Sequence, residues 1–282
     1  MLPSTTKRIP VALWVWYRGG HFHGFQRQPG SLTVQGALED ALSSVGVPAT
    51  LMPAGRTDRG VHARMQVVSV RLEPGDSAEA LEARLPARLP AGLGLCGVRR
   101  PQSFHAQWSA SGKEYRYRVR LGGAVEPSWA PYALDVPGEP KLHGPGPVTP
   151  ERLESLLTSA VGTRDFIAFH EKSSPQKLRT LASATLHALG AGLYEARLSG
   201  DGFARYQVRY LVGSALKVAA GLLPEEAWRA ALEAGTAMEG FKAPAHGLVL
   251  WEVRYPPKLD PFTAGERLHP PGLPPEPPFL PG

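Results

Sequence analysis

The sequence predicts an α+β fold built as two similar halves with antiparallel sheets. Two observations predict it. Segments of β-branched and aromatic residues alternate along the chain with amphipathic helical stretches. Several neighbouring strand segments are joined by short turns, which favours antiparallel pairing over a doubly wound parallel sheet. The length, 282 residues, fits two domains and suffices to bury a core without disulfide or metal staples. The pattern divides the chain into an N-terminal α+β domain at 1–108, a C-terminal α+β domain at 109–255 and a Pro-rich tail at 256–282. That tail either wraps the surface or is partly disordered. Two similar halves suggest an active site in the cleft between them.

The elements follow in order. Residues 9–17, IPVALWVWY, read as a strand. Thr33 can cap a helix through Ser44, with Val34, Ala37, Leu38, Ala41 and Leu42 on one face and Gly46 to end it. Residues 65–72 read as the next strand. Ser77 can cap a helix that buries Leu81 and Leu85 and stops at Pro86, and 93–99 is another strand. In 113–121 the alternation sets Tyr115, Tyr117, Val119 and Leu121 on one face and Arg116, Arg118 and Arg120 on the other. The Pro- and Gly-laden stretch from Gly122 to Pro147 is long enough to be functional or mobile. Thr149 caps a helix with Pro150 at its first position and an apolar stripe of Leu153, Leu156, Leu157 and Val161. Residues 180–189 and 192–199 read as a hairpin around Gly190–Ala191. A helix over 204–220, a shorter one opened by Pro224, and a last strand at 248–255 complete the pattern.

Composition excludes several classes. The single cysteine, Cys96, rules out an internal disulfide and a cysteine-rich metal site, and fits a reducing cytoplasm. The N-terminal apolar run is too short to span a bilayer and lacks a cleavable signal's pattern, so a cytoplasmic protein without a membrane anchor is expected. No phosphate-loop, dinucleotide-binding or serine-nucleophile motif is present. His21 and His23 have no evident third ligand, so no metal is expected. Lys and Arg total 31 against 25 Asp and Glu, a balance of +6 that suits a polyanionic partner.

Three segments carry candidate chemistry. In AGRTDRGVHA (54–63), Arg56 and Arg59 flank Asp58; they would keep it ionised and could grip phosphates, while the glycines permit close backbone approach. A surface turn whose aspartate pairs with an arginine explains the same residues. In GFARYQVRYLVG (202–213), Arg205 and Arg209 fall at i, i+4 on one helical face; a solvated face is the ordinary explanation, and a carboxylate partner such as Asp58 is the functional one. Phe104, His105, Trp108, Lys113, Tyr115 and Tyr117 interleave aromatics with bases, which suits nucleobase stacking, although both tyrosines could be core and Tyr117 fits that better.

Taken together the segments resemble the tRNA pseudouridine synthases of the TruA family, over Tyr17 to about Pro256. The matching pieces come in the family's order: GFQRQ (24–28) with Val34-Gln35; AGRTDRGVHA; FHA with the SA…K.YRY segment; Gly162 with Asp165-Phe166 and Phe169; Arg179-Thr180; Gly202-Phe203 with Val208-Arg209 and Val212-Gly213; and APAHGL (243–248). The resemblance implies that Asp58 is the catalytic aspartate, Tyr115 the active-site tyrosine and Arg209 the arginine that pairs with the aspartate. Arg56 matches the arginine implicated in displacing the target base. Arg27, Gln28, Arg59, His62, Phe104, Lys113 and Arg205 complete the expected substrate-binding set. Phe25 stands where the family usually has Trp, Arg18 where it often has Asp, and Gln107 where it commonly has Arg.

The resemblance also implies one extended sheet made by joining the two antiparallel sheets, with helices on one side. It implies a homodimer that binds tRNA and isomerises uridines thirty-eight to forty of the anticodon stem-loop. Such a reaction breaks the N1–C1′ bond and joins C5 to C1′ without net redox change, so no cofactor is expected. The carboxylate serves either as nucleophile toward the sugar or as base at C2′. The competing functions are a synthase for another RNA site and a non-catalytic RNA-binding protein.

Overall fold

The computed structural model describes residues 9–73, 75–124, 126–171 and 178–280, so the first eight residues of the expected N-terminal domain and the last two of the tail lie outside the described residues. The chain divides into two compact units, Met1–Ser111 with Leu250–Phe279, and Gly112–Val249 with Leu280–Gly282. Among the described residues no helix is long and apolar enough to cross a membrane.

In the first unit β1 (Ile9–Tyr17) pairs antiparallel with β3 (His62–Leu72) on one side and β4 (Leu93–Arg99) on the other, and the short β2 (Met52–Pro53) adds to β3. β1 is apolar at nearly every position because both its faces are covered: Val11 through Val15 are each 0% exposed. Trp14 resolves its polar edge by donating Nε1–H to the Arg64 carbonyl at 2.9 Å. Helix α1 (Val34–Ser44) starts where the Thr33 hydroxyl accepts from the Gly36 N–H at 3.2 Å, and its expected stripe is buried. Helix α2 (Ala78–Arg84) is capped by Ser77 in the same way.

In the second unit β5 (Gly112–Arg120), β9 (Leu193–Gly200), β8 (Arg179–Gly190) and β7 (Gly162–Arg164) pair antiparallel in that spatial order, and β6 (Leu134–Asp135) runs parallel to β5. Ala191 and Gly192 both have positive φ, 50° and 79°, as a two-residue hairpin turn between right-twisted strands requires. Helices α3 (Pro150–Ser159), α4 (Gln207–Ala219) and α5 (Glu225–Ala234) belong to this unit. α3 packs on β8 and on α4. The last strand, β10 (Leu248–Arg254), is followed by α6 (Ala264–Leu268). The expected α+β class with antiparallel sheets holds in each unit.

The structure departs from the expectations at the start of the long helix, and with it at Arg205, and at the last strand. The long helix starts at Gln207 and not at 204, because Tyr206 turns left-handed at φ 65° and the Gln207 side chain accepts from the Ala204 N–H at 2.8 Å. Arg205 therefore lies off the helix and does not share a helical face with Arg209. On the arginine face of β5, Arg118 and Glu195 are both 0% exposed, and Trp129 from the Pro-rich stretch lies 5.1 Å from the Arg118 guanidinium. That stretch is thus a cover for β5, with β6 inside it. Finally, the last strand beyond Val249 and the tail join the first unit and not a C-terminal half closing at 255, because the tail packs on β1. Trp16 donates Nε1–H to the Gly272 carbonyl at 2.9 Å and meets the Phe279 ring edge-on at 5.6 Å.

Candidate active site

In the first unit the segment around Asp58 is a loop between β2 and β3, held from three directions. Its base is tied by Ala54, whose N–H donates to the Val67 carbonyl at 2.7 Å, and by the Gln66 amide, which donates to the Gly55 carbonyl at 2.7 Å. Its middle is tied at Thr57, whose hydroxyl shares a 2.8 Å hydrogen bond with Tyr17 and whose carbonyl accepts from the Phe25 N–H at 3.0 Å. The Val61 N–H donates to the Asp58 carbonyl at 3.2 Å and closes the turn.

Two glycines from the preceding loop make this possible. A Cβ on Gly19 would sit 2.2 Å from the Val61 carbonyl oxygen, a distance no side chain tolerates. Gly24, at φ 91°, lies against the backbone of Thr57 through Arg59, where a Cβ would come within 3.1 Å. The Asp58 side chain is half-buried while Arg56 and Arg59 on either side are exposed. The loop therefore presents a carboxylate between two outward guanidinium groups on an immobilised backbone.

His62, expected among the RNA contacts, is only 2% exposed, and its Nδ1 accepts from the Gly19 N–H at 3.0 Å. That bond joins the two loops. Arg27 is exposed but its guanidinium pairs with Glu39 and Asp40, each at 2.7 Å. With Gln28 and Thr33 it borders a cavity of about 540 Å³. Arg18 pairs with Glu276 of the tail.

The Tyr17 hydroxyl is buried beside the loop. Burial pushes its pKa up to about 12, the Thr57 and Gln66 hydrogen bonds pull it down, and the Asp58 charge adds to the rise. A phenol with a raised native pKa keeps its proton in the fold after the unfolded chain has lost it, so its contribution to stability falls between about pH 10, the unfolded value, and about pH 12. Denaturation followed through that window should show a shallower alkaline loss for Tyr17→Phe than for the wild type. Identical slopes would separate Tyr17 from the alkaline transition.

Phe104, His105 and Ala106 are pinned within the same unit. The Ala106 N–H donates to Ser69 Oγ at 2.6 Å, and the Tyr255 hydroxyl donates to the Ala106 carbonyl at 2.8 Å. Phe104 is half-buried against the Tyr255 ring at 5.0 Å. His105 Nδ1 accepts from the N–H groups of Gln107 and Trp108, and its ring stacks on Trp108 at 4.0 Å and 11°. Trp108 is 79% exposed, so its outer face is open.

The second unit carries Tyr115, Arg209, Lys113 and Arg205. Tyr115 sits on β5 opposite Leu198, with its ring against the edge of Phe203 at 5.2 Å and 85°. Tyr117, two residues on, is fully buried and donates its hydroxyl to the Pro244 carbonyl at 2.7 Å, the core position its face implies. Lys113 is half-buried, and burial holds its amine below the usual lysine range.

Arg209 lies in the first turn of α4, where its Nε–H donates to the Ala243 carbonyl at 2.7 Å and its own carbonyl accepts from the Ala243 N–H at 3.1 Å. α4 approaches this segment so closely that a Cβ on Gly213 would lie 1.9 Å from the Phe241 carbonyl oxygen. A glycine inside a helix costs about 1 kcal/mol of propensity, and here it is what lets the backbones touch.

Sequence reasoning missed Tyr206 and Lys242. The Tyr206 ring collects the Lys242 ammonium at 4.1 Å and the guanidinium groups of Arg205 and Arg209 at 4.7 and 5.2 Å. Lys242 also pairs with Glu171 at 3.1 Å. A left-handed φ at a bulky aromatic is the kind of outlier that functional positions carry.

The sequence matches a known group of proteins. The family model described as tRNA pseudouridine synthase matches residues 156–256. The tRNA pseudouridine synthase A of Geobacillus sp. (strain WCH70) is 35% identical over 89% of this chain and 99% of its own length. That of Chlorobaculum tepidum is 36% identical over 87% of this chain and 97% of its own. The tRNA pseudouridine synthase A 1 of Desulfotalea psychrophila is 32% identical over 87% and 99%. The chain belongs to the tRNA pseudouridine synthase A family, a family of isomerases.

Proposed function

We propose that the protein converts uridine to pseudouridine at positions thirty-eight, thirty-nine and forty of the tRNA anticodon stem-loop, working in the cytoplasm as a homodimer and without a cofactor. The observation that carries the chemistry is the Asp58 loop: a half-buried carboxylate on a backbone fixed by Gly19 and Gly24, with exposed Arg56 and Arg59 beside it. A uridine must leave its stack to reach such a group. Asp58 then acts at the ribose, either attacking C1′ as the N1–C1′ bond breaks or removing the C2′ proton. The freed uracil turns and C5 bonds to C1′, as the Asp58–C1′ bond breaks on the first route or as Asp58 returns its proton to C2′ on the second; the C5 proton then leaves and N1 ends protonated. Arg209 is the guanidinium assigned to hold Asp58 ionised. Tyr115 is the ring assigned to the uracil, held at a defined tilt by Phe203.

Arg56, Arg59, Arg205 and Lys113 supply cations for the RNA backbone, with Phe104 as an aromatic contact and Arg27 and Gln28 on the first loop. His62 acts from inside, by joining the Gly19 and Asp58 loops. Lys242 belongs with the cations through the Tyr206 ring. Lys242→Ala is expected to weaken tRNA binding about threefold to tenfold and to lower the slope of log affinity against log salt by about one. An unchanged slope would remove Lys242 from the phosphate contacts.

The test of the reaction itself is a pseudouridine map of tRNA from cells with and without this protein. Loss confined to positions thirty-eight to forty is the expected result. Loss at another position would assign a different site, and no loss anywhere would reject the enzyme reading.

A further inference from the structure

We propose that the C-terminal tail is a positioning element for the Asp58 loop, acting through Arg18 and Gly19. The proposal rests on the reading of Asp58 as the reacting carboxylate. Composition leaves the tail as a surface wrap or a partly disordered extension, and Phe279 is 2% exposed. Its ring meets Trp16 edge-on at 5.6 Å, and Trp16 is held from the other side of the tail by its hydrogen bond to the Gly272 carbonyl at 2.9 Å. The indole packs against β4, where a Cβ on Gly94 would come within 2.4 Å of it. Between these anchors the Arg18 guanidinium pairs with Glu276, reaches the Pro277 carbonyl at 3.5 Å, and lies 5.9 Å from the Phe279 ring centre.

Arg18 is the residue at which β1 ends and the first loop begins. Its own N–H is fixed by the Gly92 carbonyl at 2.8 Å. The next residue, Gly19, is the one that touches the Asp58 loop: its N–H donates to His62 Nδ1 at 3.0 Å, and its Cα leaves no room for a side chain against the Val61 carbonyl. The Val61 N–H in turn closes the turn on the Asp58 carbonyl at 3.2 Å. The tail, Arg18, Gly19, Val61 and Asp58 thus form one contiguous series of contacts inside the first unit. A tail that lets go of Arg18 frees the loop start that sets the height of Asp58, and sub-ångström misplacement of a reacting group is costly in rate. Asp58 is the group that reacts; Arg18, Glu276 and Phe279 are positioning residues.

The experiment measures single-turnover pseudouridine formation at saturating tRNA, tRNA affinity, and thermal stability in the full chain. Phe279→Ala is expected to lower the turnover rate about tenfold with affinity changed less than about twofold. Glu276→Ala, whose carboxylate is 59% exposed and whose ion pair adds little stability, is expected to lower the rate about threefold with an unaltered melting temperature. An unchanged rate in both single variants overturns the proposal. A drop in affinity that accounts for the whole effect also overturns it, because the tail would then be an RNA contact. Loss of rate in Phe279→Ala only in proportion to unfolded protein, with Glu276→Ala fully active, reduces the tail to a structural strap and overturns it as well. If Asp58→Asn were itself active, the reading beneath the proposal would fail, and the tail variants would be judged separately.

Discussion

Asp58→Asn is expected to abolish pseudouridine formation while tRNA still binds. The substitution keeps the shape of the side chain and removes its charge and its basicity. Both routes open to the reaction need the carboxylate: as nucleophile it forms the bond to C1′, and as base it takes the C2′ proton, and a neutral amide does neither. The rate should fall by about four orders of magnitude or more, as when the central group of a catalytic set is removed. Binding should hold within about threefold, or tighten, because a negative charge facing phosphates is lost. The fold should not change, since Asn matches Asp in size and the loop stays tied at Thr57, Gly55 and Val61. Rate by single turnover and affinity by filter binding decide it together. An active Asp58→Asn protein would remove Asp58 from the chemistry. An inactive one that no longer binds tRNA would move it to recognition. A protein that served only to bind RNA would show no rate to lose.

What was legible in the sequence follows from where the deciding interactions lie. β1 is legible at its full span because six of its nine residues are β-branched or aromatic and none is charged, and α1 because Thr33, its stripe and Gly46 all sit within the helix's own neighbourhood. The Asp58 loop was readable for the same reason: its arginines and glycines are adjacent in the chain. The departures come from tertiary contacts. The start of α4 depends on the left-handed Tyr206 and on a side chain reaching back from Gln207, which the apolar stripe does not encode. His62 looks like a surface residue by type, and only the approach of Gly19 turns it inward. Tyr206 and Lys242 are 36 positions apart in the numbering of the chain, and only the pairing of α4 with the 241–243 segment brings the ammonium over the ring. Composition leaves open whether the tail wraps the surface or is partly disordered, because the partners of Phe279 and Glu276 lie on β1 and just beyond it, far away in the chain.

The same distinction applies to the arginines of β5, and it yields the largest expected effect on stability. Alternation placed Arg116, Arg118 and Arg120 on one face, but it is the burial of Glu195 that makes this face a structural element. The Glu195 carboxylate meets Arg118 at 2.7 Å, Arg116 at 3.0 Å and Arg197 at 2.8 Å, and both Glu195 and Arg118 are fully buried. Burial pulls the Arg118 guanidinium pKa down, and the Glu195 charge pulls it back up. Glu195→Ala leaves that guanidinium in the interior without its principal counter-charge, which should cost about 3–5 kcal/mol and lower the melting temperature by on the order of 10 °C. Arg118→Met with Glu195→Leu removes the two fully buried ions together, while Arg116 keeps its pairing with Glu114 at 2.9 Å and Arg197 is partly exposed, so it is expected to recover part of the loss. Tyr115 rides on the opposite face of β5, so the single variant should also lose activity at temperatures where it remains folded, and the double variant should regain it. Chemical denaturation of the two variants beside the wild type decides the matter. A Glu195→Ala protein as stable as the wild type would show that the three guanidinium groups do not depend on this carboxylate, and a double variant as unstable as the single would show that packing, not charge, set the cost.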